Sequence, residues 1–288
     1  MPIIDQSAGI IEGMSMDAYK ANPAISASDL KNMQRSPAFA HMRRKAHSVS
    51  TAAQEWGTAI HTAILEPHTL GDRYPVDPES PKGGYPAGWR NTKEYKSEKF
   101  ALLDRPGVVG LLTPDQHESL GWIQKRVAEN KIGASLHDLT GIREGSFFAW
   151  DDEFDLWRKC RPDWYIEHAY MAVDVKSAAD HRERPFARAC INFGYHVTAA
   201  WYLDTMSMSG HSVDHYPFLV INSDAPHEVA TYTLDEDSIE QGRFEYRKLL
   251  AEWKDCEQLG KWPAGSSEIK ELRLPEYAIN YHQERYDV

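Results

Sequence analysis

The sequence is short of cysteine. It has three, Cys160, Cys190 and Cys256, with no CxxC pair. An odd, scattered set excludes a disulfide framework, a cysteine-rich zinc site and an iron–sulfur cluster, and it fits a reducing, cytoplasmic setting. Long apolar runs are missing too. No window approaches the ~18 consecutive apolar residues of a membrane span. Met1–Gly13 has no basic stretch followed by an apolar core, so it does not read as a secretory signal. There is no Gly-x-Ser-x-Gly elbow and no Gly-x-x-x-x-Gly-Lys loop, so serine-hydrolase chemistry and ATP use are not expected. Positive charge is in deficit: 32 Lys and Arg stand against 43 Asp and Glu, a net −11. That excludes a coat of basic surface for non-specific nucleic-acid binding. It leaves open a basic channel inside an acidic protein, and acidic metal ligands would themselves add to the negative count.

What remains is an ordinary globular composition, 42% hydrophobic and 26% charged over 288 residues, enough to bury a core without staples. Residues 1–25 read as an arm, 26–260 as the main domain, and 261–288 as an irregular tail. Ser26 or Ser28 caps a helix that stalls at Ser36-Pro37 and resumes to the basic run Arg43-Arg44-Lys45. A second helix covers about 50–65 and ends at Pro67. Residues 68–106 read as a Pro- and Gly-rich insertion. Thr113-Pro114-Asp115 opens a helix to about Asn130. Strands are expected over 142–150, 155–165 and 170–176, the first two forming a hairpin about Asp151-Asp152-Glu153. Helices at 182–192 and 195–209, a strand pair at 215–222 and 227–233, and a helix over 235–259 complete the pattern. The order predicts an α/β (α+β) fold with one central mixed sheet flanked by helices.

Arg161-Pro162-Asp163 and Asp174-Val175-Lys176 carry the chemistry. Alternation along a strand puts Asp174 and Lys176 on one side. Pairing with the preceding strand would bring Asp163 beside them. Two carboxylates suit Mg²⁺ or Mn²⁺. A neighbouring lysine can hold or deprotonate a water, or neutralise charge on a phosphate. Asp-x-Lys alone usually marks a solvated face. Here Met171, Ala172, Val173 and Val175 make the strand a buried one, and unpaired buried charge is expensive.

These motifs resemble the PD-(D/E)xK nuclease superfamily. The wider set is similar to the C-terminal nuclease domain of the exodeoxyribonuclease VIII family and its phage-borne relatives. Ser26-Ala-Ser-Asp-Leu30 with Ser36-Pro37, Gly57-Thr-Ala-Ile-His61 with Leu65-Glu-Pro67, Cys160-Arg-Pro-Asp163, Asp174-Val-Lys-Ser177 and Gly194-Tyr-His-Val197 with Ala200-Trp-Tyr202 carry the likeness. The resemblance implies a restriction-endonuclease-like core. It implies Mg²⁺ (or Mn²⁺) held by Asp163, Asp174, His61 and the backbone carbonyl of Val175, with Lys176 positioning or activating the attacking water. It places Glu144 at the metal, directly or through water, and Tyr202 near the phosphate backbone. It further implies digestion of linear double-stranded DNA from 5′ ends to leave 3′ single-stranded tails. A ring-shaped homo-oligomer, a tetramer by family precedent, and recombination beside a single-strand annealing protein also follow from it. A ring would reconcile net acidity with DNA binding. The sequence departs from the family at Thr198, where Gln is usual. Thr reaches less far toward water or DNA, and His196 is the residue placed to take over part of that role.

Arg43, Arg44, Lys45 and Arg161, with Lys93, Lys96 and Lys99, are candidates for phosphate contacts, or for plain solvated surface. Tyr85, Trp89 and Tyr95 either stack on DNA ends or pack beneath their loop. Tyr277, Tyr281 and Tyr286 offer a docking tail. His211, His215 and His227 are a poor zinc set without a cysteine. Two other readings stand beside the exonuclease: a non-catalytic DNA-binding or assembly module, and a metal nuclease of another polarity, such as a single-strand exonuclease or a structure-specific endonuclease.

Overall fold

A computed structural model describes residues 9–45, 51–138, 141–265 and 268–275. In chain order the elements are β1 (Gly9–Ile11), α1 (Met16–Ala21), α2 (Ala27–Arg35), α3 (Pro37–Lys45), α4 (Ala52–Leu65), α5 (Leu70–Arg73), α6 (Lys93–Leu103), α7 (Pro114–Glu129) and α8 (Lys131–Asp138). There follow β2 (Ile142–Arg143), β3 (Ser146–Asp151), β4 (Leu156–Cys160), β5 (Trp164–Ile166), β6 (Met171–Ala178), α9 (Glu183–Asn192), α10 (Tyr195–Met208), β7 (Phe218–Asn222), β8 (Val229–Tyr232) and α11 (Glu236–Leu259).

The expected mixed α/β architecture is present, with one correction. The strands form two sheets rather than one central sheet: β1-β3-β4, and β2-β5-β6-β7-β8. The division falls at Pro162, which splits the strand expected over 155–165 into β4 and β5. Proline has no N–H for a ladder, and Asp163 follows it directly at the break, ahead of β5. β6 and β7 run parallel, joined through α9 and α10, while the other pairs are antiparallel.

Helix boundaries follow local chemistry. Ser26 and Asp29 form a reciprocal capping box at α2, and Thr113 does the same with Gln116 at α7. Asp151 Oδ1 accepts from the backbone N–H of Glu153 and Phe154, closing the β3–β4 hairpin. The 68–106 insertion is more ordered than its prolines imply. Thr92 caps α6, a largely polar helix in which Tyr95 is the buried residue. Trp89 and Tyr95 are buried, and Tyr95 Oη donates to Asp77 Oδ1 at 2.8 Å. Of the two roles open to these rings, packing is the one they fill. Within the segment read as an arm, β1 pairs with β3 and α1 is capped by Ser15. Tyr277, Tyr281 and Tyr286 lie outside the described residues.

Two cores sandwich the five-stranded sheet. Val173, Val175, Leu219 and Ile221 face a core shared with α4, α7 and α8. Ala172, Phe218 and Val220 face the core of α2, α3, α9, α10 and α11. Alternation therefore puts Asp174 and Lys176 on the second side, with Ala172.

Candidate active site

Asp174 and Lys176 lie where β6 leaves β5. The β5–β6 pairing ends at Trp164 and Val173, one residue beyond Asp163. The backbone N–H of Asp174 goes to Pro217 on the β7 side. Both backbone groups of Val175 therefore point to the opposite, opened edge. There its N–H donates to Asp163 Oδ2 at 2.6 Å, and its carbonyl shares that edge. Gly57 brings α4 against β6: a Cβ at that position would lie 3.1 Å from Ser177 Oγ. One turn on, His61 Nδ1 stands 3.6 Å from Asp163 Oδ1. Lys176 Nζ pairs with Asp174 Oδ2 at 2.5 Å and lies 5.0 Å from the centre of the Tyr195 ring.

The four groups balance one another. Burial works against charge on Asp163, but His61, Lys176 and the Val175 N–H more than offset it and hold its carboxyl down at about 2. Burial also opposes charge on His61, yet Asp163 raises its pKa above the ordinary histidine value. Asp174 moves the other way: burial raises it, against the pull of Lys176. Lys176 is raised despite burial because Asp174 and Asp163 face it. A lysine held protonated fits charge neutralisation and water positioning better than proton abstraction.

Among the described residues, no three His, Cys, Asp or Glu side chains converge as a ready-made metal cage. The chemistry of the donors nonetheless fits a hard divalent ion. Asp174 Oδ2 is buried, and the Lys176 ammonium is the partner that faces it. Asp163 Oδ1 stands beside His61, and Asp163 Oδ2 takes the N–H of Val175, so oxygen and imidazole donors gather at one sheet edge. Lys176 folded onto Asp174 closes the set on itself.

Other expected residues divide. Glu144 takes a left-handed backbone (φ 49°), and its N–H bonds the carbonyl of Asp163. Its carboxylate is turned to Arg161 at 2.8 Å. Arg161 also donates to Met14 O and Ser146 Oγ, so it ties strands together rather than standing free for DNA. Arg44 is likewise committed, to the carbonyls of Pro23 and Ala24, to Asp29 and over the ring of Trp253. Arg43 and Lys45 line the cleft described below. Lys93, Lys96 and Lys99 lie on α6, away from it. Thr198 is buried and gives its hydroxyl to Gly194 O at 3.1 Å, so it does not reach outward as Gln would. His196 does not replace it: its ring nitrogens meet Cys190 O and Glu245. His211 stacks edge-on against Phe147 and Tyr165, and His227 bonds Asn222 O, so the zinc set does not assemble.

A cleft of about 810 Å³ opens from Asp163, bounded by α1, α2 and the end of α3, with Tyr202 in its wall. Lys20, Arg43, Arg44, Lys45, Lys159 and Arg161 line it against Asp17, Asp29, Glu144 and Asp163. The local balance is thus positive in a chain that is negative overall. The sequence reading missed three residues around the site. Lys31, on α2, has its pKa lowered to about 8 by burial and by the nearby Lys176. Lys159 is buried, its ammonium donating to the carbonyls of Tyr19 and Asn22 at 2.7 Å. Tyr216 has a buried, unpartnered hydroxyl and packs edge-on against Tyr202. Burial holds both phenols well above their ordinary pKa. No local pattern marks these residues, since each depends on partners distant in sequence.

Residues 26–275 match the family model described as a PDDEXK-like domain of unknown function (DUF3799), and the chain belongs to that family. No curated protein matches it. The crystal structure of a "Putative exonuclease" from Eubacterium rectale shares the fold, with a TM-score of 0.57 and 11% identity over 92% of this chain and 95% of that one. A phage related exonuclease from Haemophilus somnus is also 11% identical, over 65% of this chain and 92% of that one. Its TM-score is 0.32. No helix among the described residues is long and apolar enough to cross a membrane.

Proposed function

We propose that this PDDEXK-like chain is a metal-dependent deoxyribonuclease. The observation that carries the reading is the meeting of Asp163, Asp174, Lys176 and His61, with Asp163 also lining a cleft that is basic in an acidic protein. Asp163 and Asp174 would hold Mg²⁺ or Mn²⁺, with His61 and the Val175 carbonyl completing the set. When bound, such an ion supplies Lewis acidity and an activated water. Lys176 offsets charge on the scissile phosphate and orients the attacking water. Arg43 and Lys45 offer open cations to the DNA backbone, and Tyr202 contributes a neutral phenol to the wall.

The finer reading is a 5′ to 3′ exonuclease on linear duplex DNA that leaves 3′ single-stranded tails for recombination. It works as a ring-shaped homo-oligomer, a tetramer in this reading, beside a single-strand annealing protein. It rests on the motif resemblance and on the net charge of −11, which a basic channel within a ring would accommodate. The test is a cleavage assay on linear duplex labelled at the 5′ or the 3′ end, with Mg²⁺, with EDTA and with Asp174→Ala. Early loss of the 5′ label, abolished by EDTA and by the substitution, is expected. Loss from the 3′ end or internal cuts would keep the chemistry and overturn the polarity.

A second reading, a non-catalytic DNA-binding or assembly module, is favoured by two observations: the inward hydroxyl of Thr198 and the lack of a ready-made cage among the described residues. Calorimetric titration with Mn²⁺ separates the two, because a module of that kind has no need to bind the ion.

A further inference from the structure

The end of α9 and the turn into α10 carry two exposed apolar side chains, Ile191 at 72% and Phe193 at 60%. Phe193 is not a loose end. Its ring lies 5.7 Å, centre to centre, from that of Tyr195. Tyr195 in turn stands 6.0 Å from Phe186 and 6.1 Å from Phe218, both buried in the core. Four rings thus climb from the sheet to the surface, and Phe193 is the outermost. The turn is held as well. Gly194 adopts φ +63°, and a Cβ there would lie 3.2 Å from the Lys31 side chain, so the stem of Lys31 packs beneath it. The inner step of the ladder is the one Lys176 touches, with Nζ 5.0 Å from the Tyr195 ring.

We propose that Phe193 is the platform on which a base of the bound DNA strand stacks beside the reactive centre. The proposal rests on the nuclease reading and deepens it by naming the substrate contact. An exposed ring costs apolar hydration unless something covers it. A ring backed by Tyr195, itself anchored on Phe186 and Phe218, loses little freedom when a flat partner arrives. It stands one ring from the ammonium that faces the scissile phosphate. Nucleotides follow each other at about 3.4 Å along a strand, so the bases flanking that phosphate are within reach. Every base has a π face, so the contact is sequence-tolerant. Lys31 adds a cation under the same turn for the backbone of that strand. A nucleic acid satisfies both features, flat faces and regularly spaced negative charge.

The test uses linear duplex DNA carrying 2-aminopurine at the terminal or second nucleotide, on the 5′ or the 3′ side in separate substrates. Binding is followed by fluorescence in Ca²⁺, and cleavage in Mg²⁺. The wild-type protein is expected to quench one of the two end-labelled series. Phe193→Ala should lose that quench and raise KM about tenfold, with kcat within about twofold. Phe193→Trp should retain both properties, which separates stacking from a folding defect. If wild-type and Phe193→Ala proteins cut DNA with the same KM and the same quench, the platform is overturned while the nuclease stands. If the wild-type protein neither binds nor cuts DNA, the nuclease reading falls and the platform with it. If Phe193→Ala changes the sedimentation coefficient and leaves the quench intact, the turn is a contact between copies of the chain and the platform is overturned.

Discussion

Two buried ion pairs in this molecule use the same chemistry to different ends. Arg158 and Asp151 join β4 to β3 at 3.1 Å, with side chains 1% and 4% exposed. The guanidinium lies 3.8 Å from the centre of the Trp201 ring and 4.9 Å from that of Tyr246, enclosed by α10 and α11. Asp174 and Lys176 sit on one strand, with side chains 7% and 19% exposed, just past the end of the β5–β6 ladder. The first pair is sealed by aromatic faces, and Asp151 spends its other oxygen on the hairpin turn. Each pair has one buried atom without a well-formed hydrogen bond, Arg158 Nε and Asp174 Oδ2, but the Asp174 carboxyl is held above its ordinary pKa by burial. Burial alone therefore does not tell structure from function. The informative quantity is whether the charge is enclosed by its neighbours or lies at an opened sheet edge.

The sharpest way to break that comparison is to remove one charge from each pair. Asp151→Asn keeps the turn acceptor and leaves the guanidinium buried against a neutral partner. Such a loss costs about 3–5 kcal/mol, read as a lower midpoint in denaturant, with activity per folded molecule unchanged. Asp174→Asn should do the reverse. Cleavage should fall by about 100-fold or more, an effect of ~2.7 kcal/mol on the barrier. Stability should fall less than in Asp151→Asn, because burial already disfavours the Asp174 anion and Asp163 still faces the Lys176 ammonium. If Asp174→Asn unfolds the protein while Asp151→Asn does not, the assignment of roles is reversed and the comparison fails.

A smaller effect comes from Asp163. Its folded-state carboxyl titrates at about 2, below the ~3.9 of a free aspartate. Between those values the unfolded chain binds more protons, so stability rises with pH across the window. The contribution, on the order of 2 kcal/mol, is complete above pH ~4 and is lost as the pH falls to about 2. Asp163→Asn should flatten the stability profile over that interval, measured by urea midpoints at closely spaced pH. An unchanged slope would show that Asp163 is not held by His61 and Val175 in solution.

The sequence made part of this legible, for physical reasons. β6 could be read because Ala172, Val173 and Val175 mark a buried strand, and a buried strand carrying Asp174 and Lys176 demands an explanation. The caps at Ser26 and Thr113 are local, so they were visible too. What escaped depends on contacts distant in sequence. Lys159 looks like surface until the carbonyls of Tyr19 and Asn22 are seen around its ammonium. Arg44 and Arg161 read as phosphate contacts for the same reason, since sequence shows a charge and not what has already taken it. α6 escaped because it is mostly polar and has no apolar stripe. The division into two sheets turned on one residue, Pro162, inside an otherwise continuous strand pattern.

The mildest test concerns the approach of α4 to β6, which sets His61 against Asp163. In Gly57→Ala the new methyl would meet Ser177 Oγ at 3.1 Å, tighter than an ordinary contact but against an atom that can rotate. Helix propensity favours alanine by up to ~1 kcal/mol, so stability should change by less than about 1 kcal/mol in either direction. Activity should fall a few-fold, because His61 follows on the next turn and moves with the helix. The double variant Gly57→Ala/Ser177→Ala removes the atom in the way. If it restores cleavage, the loss came from displacing α4, and the His61–Asp163 spacing matters to the reaction. If the single variant cuts DNA at the wild-type rate, His61 does not need its present distance from Asp163, and the open pair works with Asp163 and Asp174 alone.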